Sequence, residues 1–204
     1  MIGNDIVDLR DPEVQPGASH PRFDRRVFAP EERSALGASG ARERLRWIFW
    51  AAKEAAYKVA RKRDSECVFS PVRFVVKLDA SLAGAVEHEG ECYPVRVVEE
   101  EELVHAVATD SRSADPEPEM LCRVARLPSP DTDASSLVRE IARQELAPRI
   151  GAAPEELHVV GRGRVPVLCR GGEPAGLDLS LSHHGRFVAY ACQVLDPPPA
   201  GAPA

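Results

Sequence analysis

Hydrophobic and polar positions follow helical spacing in one long segment and alternate in several short ones. The clearest helix is predicted over 43–62, where one apolar stripe is formed by Leu45, Ile48, Phe49, Ala52, Ala55, Ala56 and Val59. A short, mostly buried strand is predicted over 2–9. A helix within 23–36 is indicated by Pro30, which suits a first helical turn. Further strands are predicted over 72–77, 85–88, 93–98 and 103–109.

The same order of elements recurs after 110–119, a polar segment without a large apolar residue that we interpret as a linker. A strand is predicted over 120–127, a helix over 135–150, strands over 158–160 and 165–168, and a hairpin over 177–195 that turns at His184-Gly185. No residue-level repeat accompanies this order. The pattern predicts an α+β fold of two similar halves, 1–109 and 120–196, packed as a pseudo-dimer. The tail 197–204 is expected to be disordered, and the acidic run 99–102 to be a solvated turn.

Composition narrows the class of protein. The 204 residues are 44% hydrophobic but only 5% aromatic, which predicts an aliphatic and alanine-rich core. The net charge of -6 argues against general nucleic-acid binding. Five scattered cysteines without a Cys-x-x-Cys pair indicate reduced thiols. No signal peptide or membrane span is recognisable, so we expect a cytoplasmic protein.

The first candidate site lies in the segment Gly3-Asn4-Asp5-Ile6-Val7-Asp8-Leu9. Strand alternation places Asp5 on one face with Gly3 and Val7, and Asp8 on the other. A carboxylate in a buried strand is costly unless it is paired or bound to a metal. Asp5 is therefore either a metal ligand or a strand-end residue that caps a turn or pairs with an arginine. Asp8 is expected to mark the exit of the strand.

The second candidate site is on the long helix. Trp50, Glu54 and Lys58 are spaced four apart and share one face. An exposed Glu–Lys pair of this spacing contributes only about 0.2–0.5 kcal/mol, and such pairs are common. However, the bulky run 47–50 leaves little of this turn exposed, and the alanines around Glu54 permit close approach of another element. A magnesium ion shared with Asp5 would give Glu54 a partner, and Lys58 would reach a phosphate oxygen.

The third candidate site is the predicted turn Ser182-His183-His184-Gly185-Arg186. Adjacent histidines point apart in an extended chain, so a two-histidine metal site is not expected. A Ser-His nucleophile pair is disfavoured for the same reason. Two interpretations of this segment remain open. It is either a solvated hairpin turn, or a set of hydroxyl, imidazole and guanidinium donors that recognises an anion, most naturally a phosphate.

Together these segments resemble the 4′-phosphopantetheinyl transferase superfamily. The matching residues are Asp5 within Gly-x-Asp, Trp50-x-x-Lys53-Glu54-Ala55 with Lys58, and Ser182-His183. The loop Gly163-Arg164-Val165-Pro166 is similar to the family's Gly-basic-Pro loop, with one extra residue before the proline. The stretch 26–32 is similar to the family sequence between the first two motifs.

Two departures from the family pattern stand out. Long members usually carry the serine–histidine half first, and here that half is second. The first half instead resembles the short, trimeric holo-acyl-carrier-protein synthases. Val7 occupies the place of a glutamate in the long members' Gly-x-Asp-x-Glu pattern, so the third metal ligand is left open between Asp8 and water.

The resemblance implies a Mg²⁺-dependent enzyme of the holo-[acyl-carrier-protein] synthase type. It would transfer 4′-phosphopantetheine from coenzyme A to a serine of an acyl or peptidyl carrier protein, for fatty acid, polyketide or nonribosomal peptide synthesis. Asp5 and Glu54 are then the metal ligands, and Glu54 and Lys58 the catalytic residues. Coenzyme A would be bound by Lys58, Arg164, Ser182, His183 and Arg186.

The expected partner is an acidic carrier protein. Local basic character in the first half supports this, from Arg22, Arg25, Arg26, Arg33, Arg42, Arg44 and Arg46. The alternative is that these arginines only aid solubility. We expect a monomer. Two rival functions are a non-catalytic protein that binds coenzyme A or a carrier, and a Mg²⁺-dependent pyrophosphate hydrolase.

Overall fold

Ten strands and four α-helices make up the parts of the chain that the computed structural model describes, residues 1–18, 20–110 and 119–194. The helices are α1 (Phe23–Val27), α2 (Pro30–Ala38), α3 (Arg42–Arg63) and α4 (Ala134–Leu146). The strands are β1 (Ile2–Asp8), β2 (Val75–Leu78), β3 (Ala83–His88), β4 (Glu91–Glu99), β5 (Leu103–Thr109), β6 (Met120–Arg126), β7 (Leu157–Arg162), β8 (Val165–Arg170), β9 (Glu173–His184) and β10 (Phe187–Val194).

The two halves have the same topology. The first sheet has the strand order β1-β5-β4-β3-β2 and the second the order β6-β10-β9-β8-β7, with antiparallel pairing throughout. In each half a leading strand is followed by a long helix and then by four strands in a meander, the last of which pairs with the leading strand. The predicted α+β fold of two similar halves is therefore confirmed.

Each half has its own core beneath its long helix. The buried alanine face of α3 packs on the first sheet, and α4 covers the second sheet through Val138, Ala142 and Leu146. The helix predicted over 135–150 is shorter than expected. It ends at Leu146 and continues as a 3-10 turn, because Pro148 lacks an N–H and its ring cannot be accommodated in a continuing α-helix. Similarly, β2 begins only at Val75, since Pro71–Arg73 forms a 3-10 turn.

The leading strand β1 lies between the halves. One face contacts α3, and the other contacts β9 and β10 of the second half. A small apolar cluster joins the halves there, formed by Ile6, Leu103, Phe187 and Ala189. This explains why nearly every residue of β1 is buried, although the strand carries two carboxylates.

The predicted linker falls largely on 111–118, outside the described residues, as does the predicted tail 197–204. Its role as a linker stays a prediction. The acidic run starts at Glu99, the last residue of β4, and 100–102 form the turn to β5. The run is not merely solvated, because Arg44 pairs with Glu99 and Glu102 is contacted by arginines of both halves. Among the described residues, no helix is both long and apolar enough to cross a membrane.

Candidate active site between the two halves

Gly3 allows α3 to approach β1 closely enough to bring two carboxylates together. A Cβ at Gly3 would lie 2.2 Å from the carbonyl oxygen of Ala55 and 3.1 Å from the Cβ of Lys58. Side chains two apart on a strand share a face, so Asp5 also points towards α3. The Gly-x-Asp motif therefore combines a contact point for the helix with a carboxylate beneath it.

Replacing Gly3 with alanine should push α3 away from β1, because a backbone oxygen cannot move aside as a flexible side chain can. We expect a loss of about 1–3 kcal/mol in unfolding free energy, as for overpacked cores, measured by urea denaturation. The control is Gly37→Ala in α2, where a Cβ meets no atom within 4 Å. Equal stability of the two variants would contradict the close-approach role of Gly3.

Asp5, Glu54 and Lys58 are brought together as the sequence predicted. The Nζ of Lys58 lies 3.1 Å from Oδ1 of Asp5 and donates to the carbonyl oxygen of Asn4 at 2.7 Å. It also lies 3.5 Å from the carbonyl oxygen of Leu181 in the second half. Glu54 is half-buried and, within the described residues, forms no hydrogen bond or ion pair.

The electrostatics of the two carboxylates are unfavourable without a further cation. Burial raises the pKa of Asp5, and Lys58 acts in the opposite direction without cancelling that effect. Burial, followed by the charge of Asp5, raises the pKa of Glu54 to about 7. Two desolvated carboxylates that disfavour each other's charge form a place where a divalent cation is stabilised by oxygen ligands. The chemistry of this donor set fits Mg²⁺, which Asp5 and Glu54 would hold.

Asp8 does not belong to this ligand pair, because it lies on the opposite face of β1. A different group of possible ligands, Asp11, Glu13 and His184, lies nearby. Nδ1 of His184 accepts the backbone N–H of Asp8 at 3.1 Å. The proton of the neutral ring must therefore sit on Nε2, so neither ring nitrogen has a lone pair left for a metal. Asp5 and Glu54 remain the better-supported pair.

The Ser-His hairpin is split between two environments. Ser182 is buried, and its hydroxyl accepts a hydrogen bond of 2.9 Å from the side-chain amide of Asn4. His183 is exposed on the other face of β9, as alternation predicts. There it lines a cavity of about 250 Å³ with Arg164, Pro166 and Arg139. The structure thus brings His183 and Arg164 together and directs Ser182 away from them.

Arg186 is already engaged by carboxylates of the first half. Its guanidinium donates to both oxygens of Asp8, at 2.7 and 2.6 Å, and to Glu102 at 3.0 Å. This differs from the predicted role of Arg186 as a phosphate ligand. Burial alone would raise the pKa of Asp8, but hydrogen bonds from Arg186 lower it to about 2.

Two further polar networks were not predicted. Lys53 of the helix motif is fully buried and forms an ion pair with Glu32, at 2.8 and 2.7 Å to its two oxygens. Asn4 is also fully buried. Its amide contacts His105 in addition to Ser182, and its backbone N–H donates to Ser180. The sequence signal for the first network is the pair of adjacent charges Lys53 and Glu54. Neighbouring residues of a helix point in different directions, so Lys53 needs a partner of its own, away from Glu54.

Comparison with known proteins agrees with this geometry. Residues 1–108 match the family profile described as the 4′-phosphopantetheinyl transferase superfamily. The match covers Asp5, Glu54 and Lys58, and more than half of the chain. The chain therefore belongs to the 4′-phosphopantetheinyl transferase superfamily.

Among solved structures, the chain is similar to the holo-[acyl-carrier-protein] synthase of Thermotoga maritima, with 14% sequence identity and a TM-score of 0.34. That alignment covers 85% of this chain and 83% of the other. No curated protein matches the chain.

Proposed function

We propose that this chain transfers 4′-phosphopantetheine from coenzyme A to a serine hydroxyl of an acyl or peptidyl carrier protein. One observation carries the proposal. In a chain of this superfamily, Glu54 is a carboxylate that forms no hydrogen bond or ion pair within the described residues, and it is held near Asp5 and Lys58 at the joint between the halves. Such a carboxylate is unfavourable for the fold alone, and it is expected where a cation and a phosphate are to be bound.

In the proposed reaction, the serine oxygen of the carrier attacks the phosphorus that bears the pantetheine arm. The bond from that phosphorus to the bridging oxygen breaks, and adenosine 3′,5′-bisphosphate leaves. Glu54 accepts the serine proton, directly or through a water molecule. Lys58 stabilises the transferred phosphoryl group. Mg²⁺ held by Asp5 and Glu54 would act as a Lewis acid on the pyrophosphate oxygens.

We assign the nucleotide end of coenzyme A to the cavity beside α4. Arg164 and His183 both line it, and they offer a guanidinium and an imidazole to phosphate oxygens. Arg139 lies at the same cavity, where its guanidinium donates to the carbonyl oxygen of Ser135 at 2.7 Å. We leave Ser182 and Arg186 out of this set. Ser182 is buried against Asn4, away from the cavity, and the guanidinium of Arg186 is engaged by Asp8 and Glu102.

The release of adenosine 3′,5′-bisphosphate tests the proposal against its rivals. Chromatography of the nucleotides should show this product only when apo carrier protein, coenzyme A and Mg²⁺ are all present. Release without any carrier, together with free phosphopantetheine, would favour the pyrophosphate hydrolase. Binding of coenzyme A without release, tested with fatty-acid, polyketide and peptide carriers, would favour the non-catalytic binding protein.

The carrier is proposed to dock on exposed arginines around α1. Arg42 and Arg46 form ion pairs with Asp24, and Arg44 pairs with Glu99. These three are therefore partly neutralised. Within the described residues, Arg22, Arg25 and Arg26 are exposed and have no ion pair, so they are left to attract an acidic partner.

Reversing the charge of Arg25 and Arg26 to glutamate should raise the KM for the carrier by about tenfold or more, equivalent to roughly 1.4 kcal/mol. The KM for coenzyme A should be unchanged. A control is the replacement of Arg170, which pairs with Glu156 on the second half, by glutamate. An equal rise in both KM values for the α1 variant would contradict docking at this surface.

A further inference from the structure

The end of β1 is bound tightly to the hairpin between β9 and β10. Asp8 is 1% exposed and its carboxylate accepts four hydrogen bonds: three from Arg186, at 2.6, 2.7 and 2.9 Å, and one from the backbone N–H of Arg10 at 2.9 Å. The backbone N–H of Asp8 donates in turn to His184. We call Asp8 and Arg186, with these bonds, the Asp8–Arg186 clamp.

Gly185 makes the clamp possible. It has a φ of 52°, in the left-handed region, and a Cβ there would lie 2.6 Å from Oδ2 of Asp8. Any other residue at this turn would separate the carboxylate from the hairpin. Since the residues on both sides of Gly185 are bonded to Asp8, the tip of the hairpin is fixed to β1.

The clamp is connected to the nucleotide cavity through one peptide unit. His184 faces β1, and its neighbour His183 lines the cavity on the opposite face of β9. A shift of the hairpin tip would therefore move the imidazole of His183 relative to Arg164. On the first-half side, Asp8 ends the same strand that carries Asp5, so the clamp joins the nucleotide cavity to the metal ligands.

A second ion pair joins the two halves in the corresponding place, with the acidic and the basic residue exchanged between the halves. Asp8 and Arg126 are the last residues of β1 and β6, and Glu102 and Arg186 immediately precede β5 and β10. The counterpart pair is Arg126 with Glu102, at 3.2 Å. It is more exposed, at 54% and 27% of the two side chains, and its hairpin carries glutamates in place of the histidines. The buried, two-pronged pair is bonded to His184, whose neighbour His183 lines the cavity.

We propose that Asp8 and Arg186 are positioning residues, which hold His183 at the nucleotide cavity and fix that cavity relative to Asp5. This inference rests on the proposed function, because it names what the clamp positions. It also replaces direct phosphate contact as the role of Arg186. Arg126 provides the control, because its pair with Glu102 joins the same two halves and is not bonded to His184. Replacing Arg126 also leaves the bond from Arg186 to Glu102 in place.

The test is a double-mutant cycle in the full chain, with the affinity for coenzyme A measured by calorimetry in the presence of Mg²⁺. D8N and R186Q should each weaken binding by about tenfold, roughly 1.4 kcal/mol. The double variant should be no weaker than the poorer single one. R186K should bind with intermediate affinity, because lysine keeps the positive charge but lacks the planar guanidinium that bonds both oxygens of Asp8. R126Q should bind like the wild type.

Two results would overturn the proposal. Weak binding by R186Q with normal binding by D8N would make Arg186 a direct ligand, and normal binding by both would leave the clamp without effect. A second readout separates this from failure of the proposed function. The ring signals of His183 in NMR spectra should shift in D8N and R186Q but not in R126Q. If the wild type binds no coenzyme A, the proposed function fails. The NMR signals of His183 then show by themselves whether the Asp8–Arg186 clamp positions that histidine.

Discussion

Glu54→Gln should abolish transfer and at the same time stabilise the metal-free protein at pH 8. The loss of activity follows from removing a metal ligand and the proton acceptor, and we expect a reduction of at least about 10²–10⁴-fold in kcat. The gain in stability follows from the pKa of about 7 that burial and Asp5 impose on Glu54. Above that pH the folded protein carries a charge that the unfolded chain accommodates more easily.

The sign of the stability effect depends on pH. The pKa of Glu54 is higher in the folded protein than the ordinary 4.5, so folding is penalised fully above pH 7 and not at all below about pH 4.5. Glutamine should therefore raise the unfolding free energy by about 2–3 kcal/mol at pH 8, with the gain disappearing as the pH falls to 4.5.

Thermal or urea unfolding across this pH range, without divalent cations, measures the effect. Glu66→Gln is the control, because Glu66 is exposed and lies just beyond the end of α3. Added Mg²⁺ should stabilise the wild type at pH 8 but not Glu54→Gln. A glutamine variant that is less stable than the wild type at pH 8 would contradict the unpartnered state of Glu54.

Lys53→Met should be among the most destabilising single changes in this chain. Both Lys53 and Glu32 are fully buried, at 0% and 1% exposure of their side chains. Glu32 also accepts backbone N–H groups from Ala29 and Val76, at 2.7 Å each. Removal of the ammonium leaves a buried carboxylate without its counter-ion, at a cost of about 3–5 kcal/mol.

The effect of Lys53→Met is measured as a shift in the urea midpoint with an unchanged slope. Lys77→Met supplies the comparison, because Lys77 forms an exposed pair with Glu87 at side-chain exposures of 62% and 49%. Such an exposed pair contributes about 0–1 kcal/mol. Similar losses for the two methionine variants would show that Lys53 is not the buried partner described here.

Local patterns were sufficient to predict the elements of each half. The apolar stripe of α3, the proline at the start of α2 and the alternation in β4 depend on side chains close in sequence, and the structure agrees with them. Where a prediction of length was wrong, as at the end of α4, the cause was a single proline whose effect was underestimated.

The contacts that join the halves could not be predicted in the same way. Asp8 meets Arg186, and Asn4 meets Ser182, across separations of 178 residues along the chain. The spacing of apolar and polar residues within one segment gives no indication of such distant pairs. The sequence therefore presents Arg186 only as a donor for an anion, and the structure shows that it donates to the carboxylate of Asp8 in another strand. The identities of Asp5, Glu54 and Lys58 were accessible because their motif spacing is local.

The most direct test of the whole account is intact-protein mass spectrometry of an apo carrier protein incubated with this chain, coenzyme A and Mg²⁺. We expect a gain of one phosphopantetheine mass on the carrier, which disappears when Mg²⁺ is chelated or when Glu54→Gln replaces the wild type. An unchanged carrier mass across fatty-acid, polyketide and peptide carriers, with folded protein that binds coenzyme A, would contradict it.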